Sequence, residues 1–233
     1  MHLFHCPDLI TDMVQLPEEE AHHASSVLRL KVGELIGLLD GKGQRAEASI
    51  EEITKRGVLA NILARVQHPA ERQARIHLAV APTKQMDRYE WFVEKAVEIG
   101  VDRITPLMTE RTERSRLRVD RLERVAVSAM KQSQRSWLPK IDATTTLKDL
   151  LKEELPVQRF FGWCEGQHTP LMTSYSSSDP VVLFIGPEGD LTSEEAALLR
   201  KNGSRAVALG HARLRTETAA LAACAWMSLA QQR

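Results

Sequence analysis

Thiols are scarce: the 233-residue chain holds three cysteines, Cys6, Cys164 and Cys224. They are odd in number, far apart and never in a Cys-x-x-Cys pair. That excludes a disulfide framework and a cysteine zinc site, and it points to a reducing, cytoplasmic compartment. Net charge is missing too, since 31 Lys and Arg face 31 Asp and Glu, so bulk charge alone speaks neither for nor against nucleic acid. Long apolar runs are absent. The longest, residues 219–230, is about 12 residues and too short to span a bilayer. The opening MHLFHCPDLI lacks a basic region followed by an apolar core, so no secretory signal is expected there. A hydrophobic content of 43% and a charged content of 27% are ordinary for a soluble globular protein. The length allows one large domain or two small ones.

Familiar ligand motifs are also missing. No Gly-x-Gly-x-x-Gly fingerprint opens a helix, and no glycine-rich loop ends in Gly-Lys-Ser/Thr, which argues against a dinucleotide site and a phosphate loop. His2, His5, Cys6, His22 and His23 could evoke a metal, but no third or fourth ligand follows at fitting spacing, so no metal is expected.

What is present falls into two patterns. The first 70 residues read as a small β-rich unit. GELIGLLD and QRAEASIEEI flank the turn Gly41-Lys42-Gly43, and VLANILARV adds a strand. PEEEAHHASSVLRL has the proline and acids of a helix start. His68 to Arg72 breaks the pattern as a linker. From Ala74 strands alternate with helices: IHLAVAP, then the helix DRYEWFVEKAVEIG stopped by Gly100, then DRITPLM. A helix over residues 120–134, VQRFFGWC and VVLFI follow. Thr192-Ser193-Glu194-Glu195 is a capping box for a helix ending at Asn202-Gly203. RAVALG and an alanine-rich helix from Thr216 complete the chain. Such alternation predicts an α/β fold with a mostly parallel sheet.

Charge is unevenly spread. Residues 1–70 carry 7 basic against 10 acidic side chains, whereas residues 103–140 carry 10 against 4. A basic segment suits a phosphate-contacting surface, and equally a solvated arginine-rich helix face. Tyr89, Trp91 and Phe92, at helical spacing, are expected in the core. Trp137 is a candidate for base stacking or burial. Glu94 and Glu98 flank Lys95 and predict a salt-bridged face.

Ligands in parallel sheets sit beyond the carboxyl ends of strands. Two loops have that placement: Gly186-Pro187-Glu188-Gly189-Asp190 after VVLFI, and Gly210-His211-Ala212-Arg213-Leu214-Arg215-Thr216-Glu217-Thr218-Ala219 after RAVAL. Their glycines let the backbone approach a ligand, although two tight turns without a ligand would look the same.

IGPEG followed by LG and LRTETA resembles the C-terminal signature of the SPOUT methyltransferases. More closely, the chain resembles the 16S ribosomal RNA (uracil-N3)-methyltransferase family often called RsmE. HHASSVLRLKVGE, LLDGKG, KQMDRYEWFVEKAVEIGVDRITPL, RTERS and AMKQSQRSWLP carry the likeness along nearly the full length. The resemblance implies a PUA-like RNA-binding β-barrel over residues 1–72. It implies a SPOUT domain over residues 73–233 with a trefoil knot at about residues 181–233, an exception to the unknotted rule. It implies S-adenosylmethionine as cofactor, no metal, and a homodimer acting on 16S rRNA in the small ribosomal subunit without any membrane partner. Gly186, Glu188 and Gly189 would line one side of the cofactor. Leu209, Gly210, Leu214, Arg215, Thr216, Glu217, Thr218 and Ala219 would line the other. Arg29, Arg111, Arg114, Arg116, Arg118 and Arg135 are the RNA contacts expected, with Arg114 and Arg135 also the catalytic candidates. The chain departs from the family at Asp190, where a second glycine is usual, and at His211, where proline is common. Two alternatives remain at this point: a SPOUT ribose 2′-O-methyltransferase, or a catalytically silent RNA-binding protein, which Asp190 motivates.

Overall fold

The computed structural model describes residues 1–113 and 117–232. They form two compact units, one from Met1–Glu71 with Val127–Leu138 and the other from Arg72–Ala126 with Pro139–Arg233.

The first unit is a five-stranded sheet made by β1 (His2–His5), β2 (Met13–Gln15), β3 (Leu35–Leu39), β4 (Gln44–Thr54) and β5 (Gly57–Gln67), in the order β1-β3-β4-β5-β2. All neighbours are antiparallel except β1 and β3, which run parallel. Gly41 and Gly43 have φ of 73° and 98°, a conformation glycine reaches without strain, and this turns β3 into β4. Ala46, Ala48 and Ile50 on β4 alternate with more exposed residues and pack with Val58, Ala60 and Ile62 of β5 on one core. The PEEE stretch starts α1 (Glu18–His22), which passes into a π-helical turn, His23–Val27. The later segment, Val127–Leu138, is strapped to this unit by polar contacts. Lys131 Nζ reaches Glu20 Oε1 at 2.6 Å, Arg45 Nε donates to Ser136 Oγ at 2.8 Å, and Leu138 N–H donates to Gly41 O at 2.9 Å. Trp137 donates its indole N–H to Pro69 O at 3.0 Å and is half-buried in the same unit.

The second unit is a parallel sheet of β6 (Ile76–Val80), β7 (Arg103–Met108), β8 (Lys140–Ile141), β9 (Thr145–Thr146), β10 (Gln158–Gly162), β11 (Val181–Ile185) and β12 (Arg205–Val207). Its order is β12-β10-β11-β6-β7-β8, with β9 also on β7. Every residue of β6 and β11 is buried, as a strand covered on both faces requires. Phe160, Phe161 and Phe184 are fully buried, each contributing about 1.5–3 kcal/mol.

The helices are α2 (Met86–Ile99), α3 (Val119–Gln132), α4 (Leu147–Leu150), α5 (Leu171–Ser174), α6 (Ser193–Lys201) and α7 (Thr216–Ala230). Gly100 ends α2 in the left-handed region at φ 108°. Tyr89 and Phe92 on α2 are fully buried, but Trp91 is 47% exposed, contrary to expectation, because it points about 100° away from Phe92 around the helix. Lys95 pairs with Glu94 and Glu98 at 2.7 and 2.8 Å, the salt-bridged face expected. Small alanines let α7 lie against α2, β6 and β11. Among the described residues no helix is long and apolar enough to cross a membrane.

Candidate active site

β11 lies between β10 and β6, and β12 lies beside β10, so the carboxyl ends of β10, β11 and β12 are neighbours. Their loops enclose a cavity of ≈ 670 Å³. One wall is the loop after β11, with Gly186, Pro187, Glu188 and Asp190. A second is formed by residues 207–216 and Ala219 at the first turn of α7. A third is the loop after β10, with Trp163, Cys164, Gly166 and His168.

The loop after β11 is tied to four other segments by four of its residues. Thr216 Oγ1, in the first turn of α7, donates to Gly186 O at 3.1 Å. Glu188 Oε1 accepts the Lys84 backbone N–H at 3.0 Å, which fastens the loop after β6. Arg111 Nη1 donates to Gly189 O at 2.8 Å, which fastens the loop after β7. Asp190 Oδ2 accepts the Cys164 N–H at 3.0 Å, which fastens the loop after β10. Compactness is demanded at the start, where a Cβ on Gly186 would lie 2.9 Å from the backbone nitrogen of Leu191. The capping box then launches α6: Thr192 Oγ1 accepts from Glu195 N–H, and Glu195 Oε2 accepts from Thr192 N–H.

The opposite wall is permissive. Gly210 has φ 154°, and nothing lies within 4 Å of the place a Cβ would take, so the backbone of this loop is open to the cavity. Ile185, Leu209, Leu214 and Ala219 supply apolar surface, while Glu188 and Asp190, each accepting a backbone N–H, are the cavity's acidic lining residues. An aromatic base with a positively charged chain fits this donor set. The third wall is stiffened by stacking. The Trp163 ring carries the Arg200 guanidinium at 4.4 Å on its face and stacks with the His168 ring at 5.9 Å.

Of the cofactor residues expected, Gly186, Glu188, Leu209, Gly210, Leu214, Arg215, Thr216 and Ala219 line this cavity. Gly189, Glu217 and Thr218 do not: Gly189 faces the Arg111 side chain, Glu217 is buried in α7, and Thr218 is exposed. Arg111 is engaged with Gly189 O and Leu191 O. Arg118 is exposed and paired with Asp120 at 2.7 Å. Arg29 is exposed at φ 55° in the first unit. Arg135, also in that unit, is ion-paired with Glu71 and is not part of the cavity lining. Arg114 and Arg116 lie outside the described residues. Sequence reasoning missed the whole third wall. The strand VQRFFGWC was visible, and the rule that loops after parallel strands bind ligands applied to it as well. Among the described residues no group of three or more His, Cys, Asp and Glu is arranged to hold a metal ion.

Fold and site define an RNA methyltransferase with an appended PUA domain. The RNA methyltransferase domain family matches residues 70–228, and the RNA methyltransferase PUA domain matches residues 16–63. A ribosomal RNA small subunit methyltransferase E from a Synechocystis strain is 30% identical over 224 residues, 93% of this chain and 73% of the relative. A crystal structure of a probable rRNA-methyltransferase from Porphyromonas gingivalis is similar with TM-score 0.91 and 35% identity, covering 100% of this chain and 99% of that one. The ribosomal RNA small subunit methyltransferase E of Neisseria gonorrhoeae, solved bound to S-adenosyl methionine, is similar with TM-score 0.88 and 30% identity, over 98% and 97% of the two chains. The chain belongs to the ribosomal RNA small subunit methyltransferase E family.

Proposed function

We propose that this chain methylates N3 of a specific uridine in 16S rRNA with S-adenosylmethionine, acting on the small ribosomal subunit in the cytoplasm. The observation that carries the reading is the cavity at the ends of β10, β11 and β12, where glycine-punctuated loops from a parallel sheet converge in a family of rRNA methyltransferases. Bound there, the cofactor supplies an electrophilic methyl group. The chain supplies the rest. Leu209, Leu214 and Ile185 would cover an adenine-sized ring and exclude water, and Glu188 would favour a positive charge beside it. The backbone of residues 209–211 would hold the polar edge of the ligand. The segment from Val181 to the end of α7 forms the proposed trefoil knot.

Uracil N3 must lose a proton, so a cation beside O2 or O4 would stabilise the developing anion. Arg114 and Arg135 are proposed for that task, with Arg135 exchanging Glu71 for the base. Arg29, Arg111, Arg116 and Arg118 are proposed as further RNA contacts. Arg111 would combine this with its grip on Gly189. The target base must be unstacked and reachable, which favours a folded ribosomal particle over free RNA. A homodimer is proposed through the outer face of α7, where Trp226 and Leu229 are 41% and 61% exposed.

The test compares 16S rRNA from cells with and without the protein by nuclease digestion and mass spectrometry. Loss of one methyl group on a uracil base is expected. Loss from a ribose, or no loss, would refute the proposal. Complementing the deletion with R114A or R135A should leave the base largely unmethylated, and full methylation would remove these arginines from the mechanism.

A further inference from the structure

Asp190 breaks two habits at once. It stands at φ 62°, in the left-handed region where glycine is at ease and where only Asn and Asp among other residues go routinely. It also spends its carboxylate on two backbone donors rather than on solvent. Oδ1 accepts the N–H of Leu191 at 2.8 Å, and Oδ2 accepts the N–H of Cys164 at 3.0 Å across 26 residues of chain. A glycine would make the turn with less strain but could hold neither donor.

The consequence lies in the third wall. Its far end is pinned by the Ala208 N–H to Thr169 O at 3.1 Å and the Leu171 N–H to Ala208 O at 3.0 Å. Its first residue, Trp163, lies beneath Arg200 and stacks on His168 further along the loop. Its near end, at Cys164, meets the loop after β11 through Asp190. The Cys164 thiol records the same proximity: burial raises its pKa first, and the Asp190 carboxylate raises it further.

We propose that Asp190 is a positioning residue of the cofactor pocket, clasping the loop after β10 onto the loop after β11 so that the two walls are held at the spacing S-adenosylmethionine needs. The inference rests on the cofactor reading above and names the side chain that sets the width of that site. It acts through the Cys164 backbone, so its loss weakens cofactor capture and leaves the chemical step intact.

The test uses the full-length chain as wild type, D190G and D190N. Three quantities are read: calorimetric Kd for S-adenosylmethionine, kcat at saturating cofactor on undermethylated small subunits, and amide hydrogen exchange in the peptide covering residues 162–168. D190G should weaken cofactor binding about tenfold, the worth of one charge-assisted hydrogen bond. It should keep kcat within about twofold and exchange faster at residues 162–168. D190N has one acceptor oxygen for two donors, so it should fall between D190G and wild type. D190G with wild-type Kd and wild-type exchange would overturn the clasp. If D190G does not fold, D190N decides on the same readouts. A wild-type chain that binds no S-adenosylmethionine would sink the cofactor reading instead. The exchange arm would then judge the clasp alone, with faster exchange supporting it and unchanged exchange overturning it.

Discussion

His77 shows how one side chain ties stability to pH. It sits in β6 at 3% exposure, and its Nε2 lies 2.7 Å from Thr105 Oγ1. Thr105 donates its hydroxyl proton to Asp142, so the His77 Nε2–H must be the donor to Thr105, and Nδ1 is left buried without a partner. Burial first, and then the charge of Arg103, push the His77 pKa down to about 3. Burial would raise the Asp142 carboxyl, but hydrogen bonds from Lys140, Thr105 and Arg103 together hold it below the usual carboxylate range. The unfolded chain therefore binds the histidine proton below about pH 6.5 while the folded chain does not until about pH 3. Stability from this group is complete above pH 6.5 and is lost as pH falls, at about 1.4 kcal/mol per pH unit. Urea melts at pH 7.5 and pH 5.0 should differ by about 2 kcal/mol more in wild type than in H77L. Equal differences would contradict the account. Asp142 adds a further loss only as pH falls below its ordinary range.

At the scale of elements, α6 begins with a shared acid. Glu195 takes the Thr192 N–H through Oε2 at 3.0 Å and the Glu110 N–H through Oε1 at 2.8 Å. T192A removes one cap acceptor and should cost about 1 kcal/mol. E195A strands two backbone donors and should cost clearly more, measured as the denaturant midpoint of each variant. If the two cost the same, the bond to Glu110 contributes nothing. This cap was legible because its signal is local, four residues long and governed by backbone donors that any helix start must satisfy. So were the turn at Gly41 to Gly43, the stop at Gly100 and the buried strands β6 and β11. Non-local facts were not legible. Nothing in AMKQSQRSWLP says that Lys131 finds Glu20 or that Ser136 finds Arg45. The Cys164 loop has no motif of its own, since its part depends on β10 lying beside β11. Asp190 was visible as an oddity, but its role needed the position of the Cys164 N–H, 26 residues away.

At the scale of the whole molecule, the outer face of α7 is the feature that solvent alone does not explain. Trp226 and Leu229 are exposed on a helix whose other face is packed on α2 and β6. W226R should convert the proposed dimer to a monomer in light scattering while leaving the circular dichroism spectrum unchanged, and a variant that stays dimeric would remove α7 from the interface. The end of the chain has a further meaning. Gln231 Nε2 donates to Ala74 O at 2.9 Å and to the Tyr175 hydroxyl at 2.6 Å, and the Arg72 guanidinium reaches Ser228 Oγ at 3.2 Å. The last turn of α7 thus fastens the segment where the second unit begins. Chains leave the ribosome from the N-terminus at about 5–20 residues per second. The first unit can close once residue 138 has emerged, but the second must wait for its last helix. The segment at Arg72 to Ala74 is therefore held only once residues 228–231 have emerged.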